Sequence, residues 1–180
     1  MNSTYKRALL ALLLALGVAF AYKTFPKPSA PPPKPQGEKL VGAPLVGMNY
    51  TKEGIGVFYV DGRWGGALPR FGGGGKQTCC AAIPAKWRPG IKVKIEWRTD
   101  SLWERDENGL FEKILEVPPY PDGIAGGLFV MFLPGGDVRV YSSNYDPGHP
   151  KWPDKLDFPY EECLKAKQSG QNLCEGWNKE

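Results

Sequence analysis

Residues 57–64 have the sequence Val-Phe-Tyr-Val-Asp-Gly-Arg-Trp, and this stretch decides the fold. Four β-branched or aromatic residues run up to Asp61-Gly62, and Arg63-Trp64 begins a return. The Asp-Gly dipeptide between two such runs is the strongest short-range signal for a two-residue hairpin turn. The stretch therefore predicts a β-hairpin.

Hydrophobic patterning predicts more strands on both sides of this hairpin. Val93, Ile95 and Trp97 alternate with charged residues over 92–97, which is typical of a half-buried antiparallel strand. Residues 128–133 are continuously apolar, as expected for a central strand covered on both faces. Other strands are predicted at residues 44–50, 63–68, 78–83, 112–117 and 138–141. The sequence thus predicts an all-β fold, a single antiparallel β-sandwich or barrel-like domain of about seven to eight strands, with one helix at residues 160–168.

The composition agrees with this fold class. The chain has 23 glycines and 18 prolines among 180 residues, nearly twice the roughly 12% of average usage, which disfavours a helical bundle. A hydrophobic content of 42% is still enough to bury a core. The net charge of only +4 gives no electrostatic signature of nucleic-acid binding.

The N-terminus has the pattern of an export signal. Lys6 and Arg7 precede an uncharged apolar run over residues 8–22, with Ala19-Phe20-Ala21 as a candidate cleavage site. Residues 1–22 are therefore either a cleaved signal peptide or an uncleaved signal anchor, and we expect an apolar helix there. Both alternatives place the rest of the chain in the periplasm, and the second also anchors it in the inner membrane.

A proline-rich segment separates this signal from the strands. Six prolines fall within residues 25–36, a composition that favours polyproline II and builds no core. We interpret residues 23–38 as a linker and residues 39–180 as one β-rich domain.

A run of four glycines at residues 72–75 precedes Lys76. It fails as a nucleotide-binding P-loop, because Arg70 stands where the first glycine is required and Gln77 replaces the serine or threonine. Bare backbone beside an arginine and an aromatic ring suits an interface. The partner-binding hypothesis names Arg70, Phe71, Gly73, Gly74 and Lys76. The alternative is a connector with Phe71 tucked into the core.

The four cysteines are Cys79, Cys80, Cys163 and Cys174. In an exported chain they favour disulfides, for which three connectivities exist. A bond between Cys163 and Cys174 would stabilise the C-terminal tail. In the alternative, a disulfide joins the tail to the strand that carries Cys79 and Cys80. Buried free thiols, or a redox or metal role, are further alternatives.

Candidate catalytic groups are sparse. His149 is the only histidine, and no Gly-x-Ser-x-Gly elbow accompanies it, so we expect it to pack a loop. The acidic cluster at residues 100–107 lacks calcium-loop spacing and is expected to be a solvated turn. Several of the six tryptophans adjoin glycine or proline, where exposed rings would suit protein or glycan recognition. We expect no enzymatic activity, no cofactor and no metal.

Several spaced motifs together resemble a small family of proteobacterial exported proteins that carry a domain of unknown function. These motifs, spread over roughly residues 40–160, are Val57-x-x-Val60-Asp61-Gly62-x-Trp64-Gly65-Gly66, the Gly72 to Gly75 run with Cys79-Cys80, Ile83-Pro84-x-x-Trp87-x-Pro89-Gly90, Phe132-Leu133-Pro134, and Ser143-Asn144-Tyr145-x-Pro147-Gly148-His149-Pro150. The resemblance implies an envelope location. Some members are encoded beside type VI secretion phospholipase effectors, which implies a candidate role as an immunity protein.

These observations lead to one functional expectation and one alternative. We expect a non-enzymatic periplasmic protein-binding module whose partner is a toxin, effector or envelope component. The alternative is a glycan- or peptidoglycan-binding module that uses its tryptophans and the glycine run.

Overall fold

The computed structural model of the protein describes residues 37–123 and 126–170. A boundary between contact units falls after Gly37, and every described strand and helix belongs to the unit that begins at Glu38. The predicted signal helix, residues 23–36 of the predicted linker, and the tail from residue 171 lie outside the described residues. In the part of the chain that is described, no helix is long and apolar enough to cross a membrane.

Strands dominate these described residues, and they form two sheets. The nine strands are β1 (Leu40–Asn49), β2 (Ile55–Val60), β3 (Arg63–Leu68), β4 (Gly72–Gly73), β5 (Thr78–Pro84), β6 (Lys92–Thr99), β7 (Phe111–Glu116), β8 (Gly127–Phe132) and β9 (Val138–Ser143). The helices are α1 (Asp100–Arg105) and α2 (Pro159–Gln168), and a 3-10 turn spans Pro134–Gly136.

Sheet B has the strand order β3-β2-β6-β7 and is antiparallel throughout. The predicted hairpin of β2 and β3 is confirmed, with φ of 48° at Asp61 and 75° at Gly62, as a type I′ turn requires. Asp61 also fixes the turn to β6, because its backbone N–H donates to the carbonyl of Lys94 at 2.9 Å and its carboxylate accepts from the Lys94 N–H at 2.8 Å.

Sheet A is organised around β1. One edge of β1 pairs with β5 and then with β4, while the other edge pairs with β8, which is followed by β9. The pairing of β1 with β8 is parallel, so the predicted wholly antiparallel arrangement is wrong at this pair. The physical reason is topological, because β8 does not follow β1 in a hairpin: the strands β2 to β7, which belong to both sheets, lie between them in the chain.

The main core lies between the two sheets. Phe58 and Ile95 of sheet B share it with Leu45 and Leu128 of sheet A, and all four side chains are fully buried. The predicted inward set of β6, namely Val93, Ile95 and Trp97, is confirmed as buried. Neither sheet closes on itself within the described residues, so the domain is a sandwich and not a barrel.

A second core covers the outer face of sheet A. Phe129 and Met131 of β8 point into it and pack against Trp152 from the segment after β9, with Leu156 and Phe158 at its margin. Every residue of β8 is buried, which confirms the predicted strand covered on both faces. The segment after β9 therefore forms a third layer on the sandwich.

The helices match the sequence prediction in part. α2 begins one residue before the predicted helix, with Pro159 in its first turn and Lys165 and Lys167 in its last, as the helix dipole favours. α1 was not predicted because its six residues are too short for periodicity. Its N-terminal signal is local, since the Thr99 side chain accepts a hydrogen bond from the Leu102 N–H.

Candidate functional site

At one end of the sandwich the core opens into a cavity of about 650 Å³, which we call the end cleft. Its walls come from the β1–β2 connection, the junction of β6 with α1, the first residues of β7, and the turn between β8 and β9. Ligand-binding pockets enclose roughly 300–1,000 Å³. The end cleft therefore has room for a small ligand or for one or two side chains of a partner.

Aromatic rings form the floor of the end cleft. Trp97 lies with its ring centroid 5.5 Å from that of Phe111 and 5.7 Å from that of Phe132. Trp97 and Phe132 are buried, whereas Phe111 remains 40% exposed. Phe111 stands opposite Trp97 in the β6–β7 register, so the two strands carry an apolar surface from the core to solvent.

Asn49, the last residue of β1, shapes one wall of the cleft. Its fully buried amide donates to the carbonyls of Glu53 at 2.7 Å and Pro69 at 3.0 Å, and its side-chain oxygen accepts from the Thr51 N–H at 3.0 Å. A buried amide with these partners holds the β1–β2 connection in one conformation. The wall is therefore largely preformed.

Glu53 places a negative charge on this wall. Its carboxylate accepts a hydrogen bond from the Ser101 N–H at the start of α1. Partial burial raises the pKa of Glu53, but hydrogen bonds from Ser101 and Thr99 outweigh it and hold the pKa below its usual value. Glu53 is consequently ionised at neutral pH and serves as an acceptor, not as a proton donor.

The opposite wall is a glycine turn tied to β7. In the turn after β8, Gly135 and Gly136 adopt φ values of 77° and 76°. The ammonium group of Lys113 donates to the carbonyl of Gly136 at 2.8 Å and so bridges the two sheets across the cleft. Glu112 and Asp137, both exposed, add negative charge beside this bridge.

The residues of the partner-binding hypothesis occupy different environments in the structure. Phe71 is 6% exposed, as the alternative with Phe71 in the core expects, and it also lines the end cleft, so its role as a partner contact stays a prediction. Gly73 pairs with Met48 of β1 and Gly74 donates to the carbonyl of Gly47 at 2.9 Å. A β-carbon on Gly73 would overlap the Gly47 carbonyl, and one on Gly74 would lie 2.7 Å from the Phe158 ring.

These contacts explain the glycine run by close packing within the domain. Arg70 and Lys76 are exposed at the two ends of this segment and do not line the end cleft. Their role as partner contacts stays a prediction.

The tryptophans take different roles. Trp87 donates to the carbonyl of Val117 at 2.9 Å, and Trp152 is buried in the second core. Trp64 is 57% exposed on β3, and Trp103 is 55% exposed on α1. Trp177 lies outside the described residues.

His149 and the acidic residues of the cluster at 100–107 do not line the end cleft. The His149 ring stacks on Tyr145 with centroids 4.4 Å apart, and its Nδ1 accepts from the Lys151 N–H at 3.1 Å. Asp100 and Glu104 belong to α1, so the predicted solvated turn is a short helix followed by a turn. Within the described ranges no group of three or more histidine, cysteine or acidic residues could hold a metal ion.

Cys79 and Cys80 form a disulfide with each other. The alternative in which the tail is clipped to one of them is therefore wrong. The local reason is the interrupted β1–β5 pairing at this point, which places both cysteines opposite Pro44 and frees them from strict strand alternation. The predicted bond between Cys163 and Cys174 involves a residue outside the described part, and it stays a prediction. Cys163 itself is buried on α2.

The fold and the cleft define a class of protein, a two-sheet β-sandwich domain with an apolar cleft at one end of its core and a C-terminal covering layer. The family model "Protein of unknown function (DUF3304)" matches residues 48–140, just over half of the chain, and the chain belongs to this family. The matched segment contains every residue of the end cleft. No curated protein and no solved structure matches the chain.

Proposed function

We propose that the protein is a non-catalytic binding module of the cell envelope, and that it holds an apolar part of a partner protein in the end cleft. The observation that carries the proposal is the aromatic floor of the cleft, in which Phe111 stays 40% exposed. Trp103 of α1 and Leu110, the residue before β7, are 55% and 43% exposed and lie close in sequence to the lining residues Ser101 and Phe111. Exposed apolar groups around a pocket of this kind are typical of interaction sites.

The chemistry of the cleft favours binding over catalysis. The Thr51 hydroxyl and the Glu53 carboxylate are engaged in hydrogen bonds that build the wall, and the low pKa of Glu53 suits an acceptor of hydrogen bonds. Charged rim residues such as Lys113 and Glu112 surround an apolar interior, the usual anatomy of a protein interface.

A protein partner fits the cleft better than a glycan. Glycans need several polar groups set around an aromatic platform, whereas the floor made by Trp97, Phe111 and Phe132 is apolar. Of the tryptophans that the glycan alternative would use, Trp87 and Trp152 are engaged in packing. Trp64 and Trp103 remain exposed and leave the glycan alternative as an outcome of the test.

The proposed location rests on the N-terminal sequence. Lys6 and Arg7 before the apolar run should export all that follows. A phosphatase reporter fused after Glu180 should be active in cells, and an inactive reporter would overturn the envelope location.

The more specific proposal for the partner is a type VI secretion lipase effector, which the resemblance of the sequence motifs suggests. Production of this chain should then restore growth to cells that express a lipase encoded beside it in their periplasm. Persistent toxicity despite full export would remove the immunity role and leave an envelope component as the partner.

The cleft is tested by filling it. Ser101 is an exposed residue of the cleft lining, so Ser101→Trp places an indole in the cavity. Ser169→Trp adds the same indole to an exposed serine after α2, outside the lining, and is the matched control. The probes are the apolar dye anilinonaphthalene sulfonate and cross-linking to proteins of the envelope fraction.

We expect the wild type and the Ser169→Trp variant to bind the dye at one site and to cross-link the same partner, and the Ser101→Trp variant to lose both. Unchanged binding by the Ser101→Trp variant would overturn the proposal. If the wild type binds purified sacculi and the Ser101→Trp variant does not, the ligand of the cleft is a glycan and not a protein.

A further inference from the structure

β7 forms one edge of sheet B, and its hydrogen-bonding pattern can be assigned residue by residue. The N–H of Val117 donates at 2.8 Å to the carbonyl of Ile91, the residue opposite it where the β6–β7 register is extended by one position, so the backbone of Val117 faces β6. In an antiparallel ladder hydrogen-bonded pairs alternate with non-hydrogen-bonded pairs. The backbone groups of Phe111, Lys113 and Leu115 therefore point toward β6.

The residues between them point the other way. The N–H and carbonyl groups of Glu112, Ile114 and Glu116 face outward from the sheet edge. The neighbouring strand supports this assignment, because both backbone groups of Lys94, which stands opposite Ile114, bond to Asp61 on the far side of β6. Three consecutive pairs of backbone groups are thus presented at the edge.

This edge has few of the features that usually prevent strand addition. Residues 111–116 contain no proline, and their register with β6 runs without a bulge. Ile114 is 64% exposed, the most exposed large apolar side chain of the described residues. Natural edge strands that must stay unpaired are generally interrupted or charged. β7 is charged at Glu112, Lys113 and Glu116 but is not interrupted, so it is suited to pairing with a strand of complementary charge.

The side chains beside these backbone groups indicate what would pair there. Glu112 and Glu116 are both exposed and flank Ile114 on the outer face of sheet B. Lys94 approaches Glu112 at 3.5 Å but already contacts Glu96 at 2.7 Å. An incoming strand with a basic, an apolar and a second basic residue at alternate positions would match the acidic, apolar and acidic pattern of β7.

We propose that β7 accepts an extended segment of the partner protein as an added antiparallel strand, with basic residues facing Glu112 and Glu116 and an apolar residue facing Ile114. The intervening side chain that stands beside Lys113, a residue of the cleft lining, enters the end cleft. Main-chain hydrogen bonds then supply affinity, and the cleft and the two carboxylates supply specificity. This inference rests on the proposed function of the same cleft.

The probe is a blocked peptide with the core sequence Lys-Phe-Val-Phe-Lys, titrated into the full-length protein and followed by tryptophan fluorescence and by amide chemical shifts. We expect the largest shifts at the amides of Glu112, Ile114 and Glu116. A peptide with glutamates in place of both lysines should bind about tenfold more weakly, as should one whose central valine nitrogen is methylated. Equal affinity of the methylated peptide would overturn strand addition without any change to the protein.

A variant pair tests the same contact from the other side. Ile114→Pro removes one outward N–H and no ladder bond with β6, whereas Ile114→Thr removes the apolar side chain and keeps the N–H. We expect the proline variant to lose about tenfold or more in affinity and the threonine variant to lose less, with similar melting temperatures. Equal affinities of the two would overturn the proposal.

The two proposals fail in distinguishable ways. If the Ile114→Pro variant still cross-links the partner and the Ser101→Trp variant does not, the cleft binds the partner and strand addition is wrong. If neither variant changes cross-linking, both proposals are wrong.

Discussion

At the scale of single residues, Gly65 shows how closely β3 lies against the core. A β-carbon built on Gly65 would overlap the Phe58 ring, which is fully buried between the sheets. We expect Gly65→Ala to lower the free energy of unfolding by about 1–3 kcal/mol through overpacking. Urea denaturation measures the change.

The matched control is Gly56→Ala on β2. A β-carbon there would meet nothing closer than the Arg98 carbonyl oxygen at 3.8 Å, and Gly56 is exposed. We expect the free energy of unfolding of the Gly56→Ala variant to equal that of the wild type or to be slightly higher, since alanine reduces the entropy of the unfolded chain. Equal losses in the two variants would contradict the packing argument for Gly65.

Asp154 attaches the C-terminal layer to β9. Its carboxylate, only 5% exposed, accepts from Tyr141 at 2.9 Å and from Arg139 at 3.0 Å. Burial raises the pKa of Asp154, but hydrogen bonds from the Leu156 N–H, Tyr141 and Arg139 outweigh it and lower the pKa. Burial and the same carboxylate raise the pKa of Tyr141 to about 12.

A carboxyl group with a lowered folded-state pKa stabilises the protein above its unfolded pKa of about 3.9. That contribution is lost as the pH falls through the folded-state value. Asp154→Asn should therefore cost about 1.5–3 kcal/mol at pH 7 and progressively less in acid. Urea denaturation of both proteins at pH 7 and pH 3 measures it, and a difference that does not shrink with acid would contradict the assignment.

At the scale of elements, the disulfide of Cys79 with Cys80 lies in a bulge of β5. The register with β1 passes from Ala43–Ala81 to Leu45–Thr78, so the two cysteines together oppose Pro44. Proline offers no N–H to a partner strand, which explains why the ladder is interrupted here. The disulfide joins neighbouring residues and closes the smallest possible loop in the unfolded chain.

In the chain-entropy account such a small loop stabilises by only about 1 kcal/mol. We expect replacement of both Cys79 and Cys80 by serine to cost about that much in denaturant unfolding. Loss of the predicted bond between Cys163 and Cys174 should cost more, about 2–5 kcal/mol. Peptide mass mapping verifies both bonds, and a greater loss for the Cys79 and Cys80 variant would contradict this order.

Single elements could be predicted from the sequence where burial leaves a local pattern. The alternation along β6, the apolar run of β8 and the Asp61-Gly62 turn each identify an element without knowledge of its neighbours. The parallel pairing of β1 with β8 leaves no such pattern, because it depends on residues far apart in sequence. The glycine run was ambiguous for another reason, since a missing side chain suits both ligand approach and the close packing seen at Gly73.

The end cleft could not be predicted from the sequence either. Trp97, Phe111 and Phe132 come from three strands and meet only through the β6–β7 register and the stacking of the sheets. Asn49, whose buried amide shapes the wall, is one polar residue at the end of an apolar strand. From the sequence, an asparagine at this position indicates only a turn. That its side-chain amide bonds to the carbonyls of Glu53 and Pro69 is known only from the structure.

At the scale of the whole molecule, the third layer is part of the domain although the family match ends at residue 140. A chain truncated after Asn144 would uncover Phe129, Met131 and the rest of the second core. We expect it to be insoluble or to lose cooperative unfolding, because an uncovered apolar sheet face promotes aggregation. Solubility on expression and circular dichroism measure this, and a soluble, cooperatively folded product would show that the layer is dispensable.

The parallel pair also governs when the chain can acquire its structure. β1 is the first strand of the described residues, yet Leu45 pairs with Leu128, about 80 residues later, and sheet A is incomplete until that pair forms. Domains rich in such distant contacts fold slowly, on roughly the millisecond to second scale. For a chain exported as proposed, this high contact order would keep the polypeptide unfolded during translocation, since β1 gains β8, the neighbour at its second edge, only when most of the domain has crossed.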